Sequence, residues 1–110
     1  MAKYAIFFTL KGETIARAMD HPSDRAAVVS TAAEAAGGRL EAYYWMFGDH
    51  DGFVIVDAPD SATVAAISLA VSSTGAFGHI ATHELIEVGD VNAILARAKE
   101  LAASYSPPGA

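Results

Sequence analysis

Three histidines, His21, His50 and His79, fall in segments that a short βα chain would turn toward one another, and Asp20, Asp49 and Asp51 accompany the first two. Imidazole is the side chain best suited to proton transfer near neutral pH, and a neighbouring carboxylate would fix its tautomer. This spacing points to His50, His79 and Asp51 as acid/base residues, with His21, Tyr44, Trp45 and Phe8 as candidates for holding a flat or apolar ligand. The same residues have plainer readings. His50 can be an exposed turn residue, Asp51 a turn carboxylate accepting backbone N–H bonds, and the aromatic run a core strand. His79 and His83 are four apart on a strand, roughly 13 Å at about 3.3 Å per residue, too far to share one metal ion. No ligand spacing suggests a metal site, and the sequence names no cofactor.

The elements that must position these groups follow from periodicity. The centre of the chain, Gly38 to Ala58, holds two β-rich runs, Leu40 to Phe47 and Phe53 to Asp57, around the polar break Gly48-Asp49-His50-Asp51-Gly52, which predicts a hairpin. Lys3 to Leu10 predicts a buried first strand, and Lys11 to Met19 a turn or two of helix before Asp20-His21-Pro22. Ser23 is placed to cap a helix with Val28, Val29, Ala32, Ala33 and Ala36 on one face, ending at Gly37-Gly38. Pro59-Asp60 opens an almost uncharged helix through Val64, Ile67, Leu69 and Val71, expected to be largely buried. Phe77 to Val88 predicts a fourth strand with Phe77, His79, Ala81, His83 and Leu85 on one face. An amphipathic helix follows from Gly89-Asp90, and residues 105–110 form a loose tail or an arm, leaving one domain over 1–104.

The order βαββαβ with right-handed crossovers gives a ferredoxin-like α+β fold. Its four-stranded antiparallel sheet has the order 4-1-3-2, helices on one face and a further C-terminal helix. The other face would be bare. Because the strands are apolar at both parities, a second copy packing sheet to sheet is expected, as a dimeric α+β barrel or a larger homo-oligomer. With 110 residues, net charge −6 and pI near 4.9, the chain suits neither a nucleic-acid groove nor an anionic membrane as partner. It has no cysteine, so disulfides and thiolate chemistry are excluded. No run approaches a membrane span, and the opening residues do not make a signal peptide, so a cytoplasmic location is expected.

The run Tyr43-Tyr44 to Phe47-Gly48, then His50-Asp51, then Val54-Ile55-Val56 to Pro59-Asp60, resembles the core of the GYD domain family of small bacterial proteins. Asp24-Arg25, Gly37-Gly38 and Gly75 agree with it, and the likeness runs from Lys3 to about Ile86. His50 stands where the family has Tyr, so a role carried by that phenol does not transfer directly. The resemblance implies a dimeric ferredoxin-like fold and no established reaction. Two functions stay open. One is a cofactor-independent enzyme acting on an apolar or aromatic small molecule through His acid/base chemistry, and the other is a non-catalytic ligand-binding or regulatory oligomeric module.

Overall fold

The computed structural model describes all 110 residues. Four strands, β1 (Ala2–Leu10), β2 (Arg39–Trp45), β3 (Gly52–Ala58) and β4 (Phe77–Glu84), form one antiparallel sheet in the order β2-β3-β1-β4. That is the expected ferredoxin-like order. Helices α1 (Gly12–Asp20), α2 (Arg25–Ala35) and α3 (Ser61–Ser72) connect the strands. A short 3-10 turn at Val88–Asp90 leads into α4 (Val91–Ala102), the expected C-terminal helix.

Strand pairing divides the apolar residues between two faces. Tyr4, Val54, Val56 and Ala58 pack with Val64 of α3, and Val29 of α2 and Leu40 lie against them. This is the helix-covered side. Tyr4 is buried there with its hydroxyl satisfied, 2.9 Å from Glu84 Oε1 and 3.1 Å from Ser61 Oγ, so its burial leaves the phenol paired. The alternate residues, among them Phe7, Phe53, Ile55 and Tyr44, project to the opposite face, which no helix covers.

Several boundaries differ from those read in the sequence, each for a physical reason. Asp24, not Ser23, caps α2, because its carboxylate lies 3.1 Å from the N–H of Ala27, three residues on. The short helical segment is a full helix of nine residues, anchored where Thr14 Oγ1 donates to Ala76 O at 2.7 Å. Strand β4 stops at Glu84, paired with Tyr4 and two residues short of the start of β1, although Leu85 N still donates to Lys3 O at 2.8 Å. Within β4 the register slips opposite Thr9 and Leu10, so Phe77 does not share the face of His79. It packs instead edge-on to Phe8, ring centroids 5.9 Å apart, on the helix side.

Helix α3 is less buried than its composition suggests. Apolar residues surround it on all sides, so only the stripe holding Val64 meets the sheet, and Leu69 stays exposed. Helix α4 makes no substantial contact beyond the turn before it, and its Ile94, Leu95 and Leu101 are exposed. The chain is therefore extended, with a radius of gyration of 17.7 Å against about 13 Å for a compact chain of this size. Only nine of 110 residues are buried, a small core for a chain with this much apolar sequence.

Candidate functional site

The hairpin loop between β2 and β3 is held by Asp51. Its backbone N–H donates to Phe8 O at 2.8 Å, its carbonyl accepts from Met46 N at 2.9 Å, and its Oδ2 accepts from Leu10 N at 2.7 Å. The carboxylate thus clamps the loop to the end of β1, which is the plainer of its two sequence readings. By fixing the loop, Asp51 lays the neighbouring His50 onto the open face of the sheet.

On that face Phe7 is the hub. The His50 ring lies 5.3 Å from it, the Phe53 ring 5.5 Å and the His83 ring 5.9 Å, centroid to centroid. His79 stacks on His50 at 6.4 Å, and Tyr44 stacks on Phe53 at 5.6 Å. The Nδ1 atom of His50 is buried and has no hydrogen-bond partner on the chain. Leaving a buried polar nitrogen unpaired costs about 1–3 kcal/mol, so a partner from outside the chain would be favoured there.

The far end of the open face is polar. Lys3 Nζ is 2.7 Å from Glu41 and 2.8 Å from Asp57, and Arg39 is 3.1 Å from Asp57. Hydrogen bonds from Lys3 and Arg39 hold the Asp57 carboxyl below the usual carboxylate range, and the bonds to Asp57 and Glu41 raise Lys3. A bulge at Glu41 in β2 brings that carboxylate to Lys3. The open face thus has a paired, charged end and an aromatic, imidazole-bearing end.

The remaining sequence candidates lie elsewhere. Phe8 and Trp45 are on the helix side, 5.7 Å apart edge-on, with Tyr43 5.9 Å from Phe8. His21 is exposed in the connection between α1 and α2. The structure therefore brings together His50, His79 and Tyr44, and separates them by the thickness of the sheet from Phe8, Trp45 and His21. The division follows from register: Trp45 pairs with Gly52 and Tyr44 with Phe53, so adjacent residues point to opposite faces.

Two features escaped the sequence reading. His83 joins the imidazole cluster through Phe7, a placement that cross-strand pairing of Ala5 with His83 would have shown had the register been known. Tyr43 sits beside Arg25, where burial raises its phenol pKa and the guanidinium works against that rise. No group of three or more His, Cys, Asp or Glu side chains is placed to share a metal ion. No helix is long and apolar enough to cross a membrane.

No curated protein is similar enough in sequence to count as a relative. The family comparison is positive: residues 4–95, spanning the sheet but for the first two residues of β1, the hairpin that carries His50 and the start of α4, match the GYD domain, and the chain belongs to that family.

Proposed function

We propose that this protein binds a small apolar or aromatic molecule on the open face of its sheet, with His50 as the proton-transferring group and a second copy of the chain closing the site. The carrying observation is His50 Nδ1, buried, without a partner on the chain, and set beside Phe7 and His79. A ligand lying over Phe7, Phe53 and Tyr44 would present a hydroxyl or carbonyl-bearing edge to the imidazole, and rotation of the His50 ring about its Cβ–Cγ bond would bring the occluded Nδ1 to that edge. His79, exposed and stacked on His50, would be the group that passes the proton on to solvent. The small core, the uncovered apolar sheet face and the unpartnered stripe of α4 support a homodimer or larger homo-oligomer.

A second reading, a non-catalytic ligand-binding module, is favoured by one observation. The Asp51 carboxylate accepts from Leu10 N, and no carboxylate hydrogen-bonds to His50. An imidazole without such a partner can hold a ligand without being tuned for turnover.

The neutral bicyclic ketone 2-tetralone tests both readings, since it offers an arene to the sheet and acidic C–H bonds beside its carbonyl. Saturable binding is expected, weakened roughly tenfold in His50→Ala by loss of the hydrogen bond and its buried partner. The enzyme reading adds accelerated exchange of those C–H protons with solvent deuterium, reduced about a hundredfold or more in the same variant. Binding without exchange selects the module. Equal affinity in wild type and His50→Ala sinks both.

A further inference from the structure

A concave surface lies on the helix side of the sheet, between the α1–α2 connection and β2. It is a cleft of about 420 Å³ lined by Ala18, Pro22, Ser23, Asp24, Arg25, Ala26, Tyr43 and Trp45. That volume is within the range of small-molecule sites, about 300–1,000 Å³. Its floor is aromatic: Tyr43 and Trp45 stand 6.4 Å apart, and both rest on the buried ring of Phe8 at 5.9 and 5.7 Å.

The polar groups of the cleft select the ligand's charge. Arg25 is its only cation and takes part in none of the chain's ion pairs. Asp24 is its only acid, and that carboxylate is turned to the N–H of Ala27 as the cap of α2. Arg25 and Tyr43 line the cleft together, and burial raises the Tyr43 phenol pKa further above neutral while the guanidinium works against that rise. One face of the cleft therefore offers planar guanidinium N–H donors and a phenolic O–H donor, and the other offers indole and phenol rings. A carboxylate matches the fork of the guanidinium, and an attached arene matches the floor.

We propose that this cleft binds an aryl carboxylate, the carboxylate on Arg25 and Tyr43 and the ring over Trp45. The site is distinct from the histidine face and does not depend on the chemistry assigned there. The chain's net charge of −6 disfavours any anion at a distance, so the local cation decides binding. Removing it should abolish most of the affinity and not merely trim it.

Trp45 is the only tryptophan in the chain, so its fluorescence reports directly on a ligand entering this cleft. The probes are 4-tert-butylbenzoate and its neutral amide, titrated by fluorescence and independently by calorimetry. Wild type should show a saturable change with the carboxylate. Arg25→Met should weaken it roughly tenfold or more, the loss of a charge-assisted hydrogen-bonded pair. Arg25→Lys should fall between them, because a point charge replaces the fork. The amide should bind wild type no better than the carboxylate binds Arg25→Met, and His50→Ala should bind like wild type. Arg25 is exposed at the first position of α2, and unchanged thermal melts would confirm that these variants stay folded. Equal binding of carboxylate and amide, an indifferent Arg25→Met, or no saturable heat or fluorescence change overturns the proposal.

Discussion

Gly38→Ala is expected to be the most damaging single-methyl change in the chain, costing about 3–5 kcal/mol of a total near 5–15 kcal/mol. Helix α2 ends in a Schellman turn. Gly37 takes the left-handed conformation at φ 81°, its N–H donates to Glu34 O at 2.9 Å, and the N–H of Gly38 donates to Ala33 O at 2.9 Å. The next residue, Arg39, is already paired with Asp57 in the sheet. Gly38 is thus pressed between the end of a helix and the β3 backbone, and a Cβ there would overlap the carbonyl oxygen of Asp57. That oxygen belongs to the sheet backbone and cannot swing aside as a side chain can. Gly37→Ala is the control. Its Cβ would meet only Pro59 Cγ at 3.6 Å, an ordinary contact, so its cost is the left-handed backbone, about 1–2 kcal/mol. Thermal melts should place Gly38→Ala roughly 15 °C or more below wild type and Gly37→Ala well above it. Equal midpoints for the two variants would show that the contact with Asp57 is not a real constraint.

Gly52→Ala comes second, at about 3 kcal/mol, and its effect reaches both ligand surfaces. A Cβ at Gly52 would lie 2.5 Å from Phe8 Cζ and 2.6 Å from Tyr44 O. The carbonyl belongs to the β2–β3 ladder, and the Phe8 ring is already wedged against Tyr43, Trp45 and Phe77. Overpacking of this kind typically costs 1–3 kcal/mol, and here the backbone contact puts it at the upper end. The Phe8 ring supports Trp45, so the emission of Trp45 should shift along with stability. Adding Phe8→Leu removes the ring contact, and the double variant should be less destabilised than the sum of the singles by about 1 kcal/mol. Strict additivity would mean that the ring does not occupy the space above Gly52.

The fold was largely legible in the sequence because its signals are local. The β-rich runs, the Gly37-Gly38 stop and the alternation of strands and helices lead to the observed strand order. What the sequence left obscure depends on register. One slipped residue opposite Thr9 and Leu10 sends Phe77 to the helix side, and nothing in the run Phe77-Gly78-His79 announces it beyond a glycine. Gly52 read as a turn residue, yet its need is for space beneath Phe8 and not for an unusual backbone angle; in that loop only Gly48 has a positive φ. Chain order alone turns the segments of His21, His50 and His79 toward one another and sets the aromatic candidates Phe8, Tyr44 and Trp45 beside them. Edge position does follow from chain order, but facing requires the exact pairing, and so they divide into His50, His79 and Tyr44 on one side and Phe8, Trp45 and His21 on the other. Asp51 was read two ways, and the bond from Leu10 N shows its structural task. Arg25 was noticed only as part of a family pattern. Its setting beside Tyr43 arises from tertiary packing of α2 on β2, which no short spacing encodes.

The proposed site needs a lid, because Phe7, Phe53 and the imidazoles lie on a sheet surface that the chain itself leaves bare. Sedimentation equilibrium at micromolar concentration measures this most directly. A species of twice the 11.4 kDa chain mass, or a larger multiple, is the expected result. A well-folded species of 11.4 kDa, with the amides around Phe7 and His50 open to solvent, would contradict it.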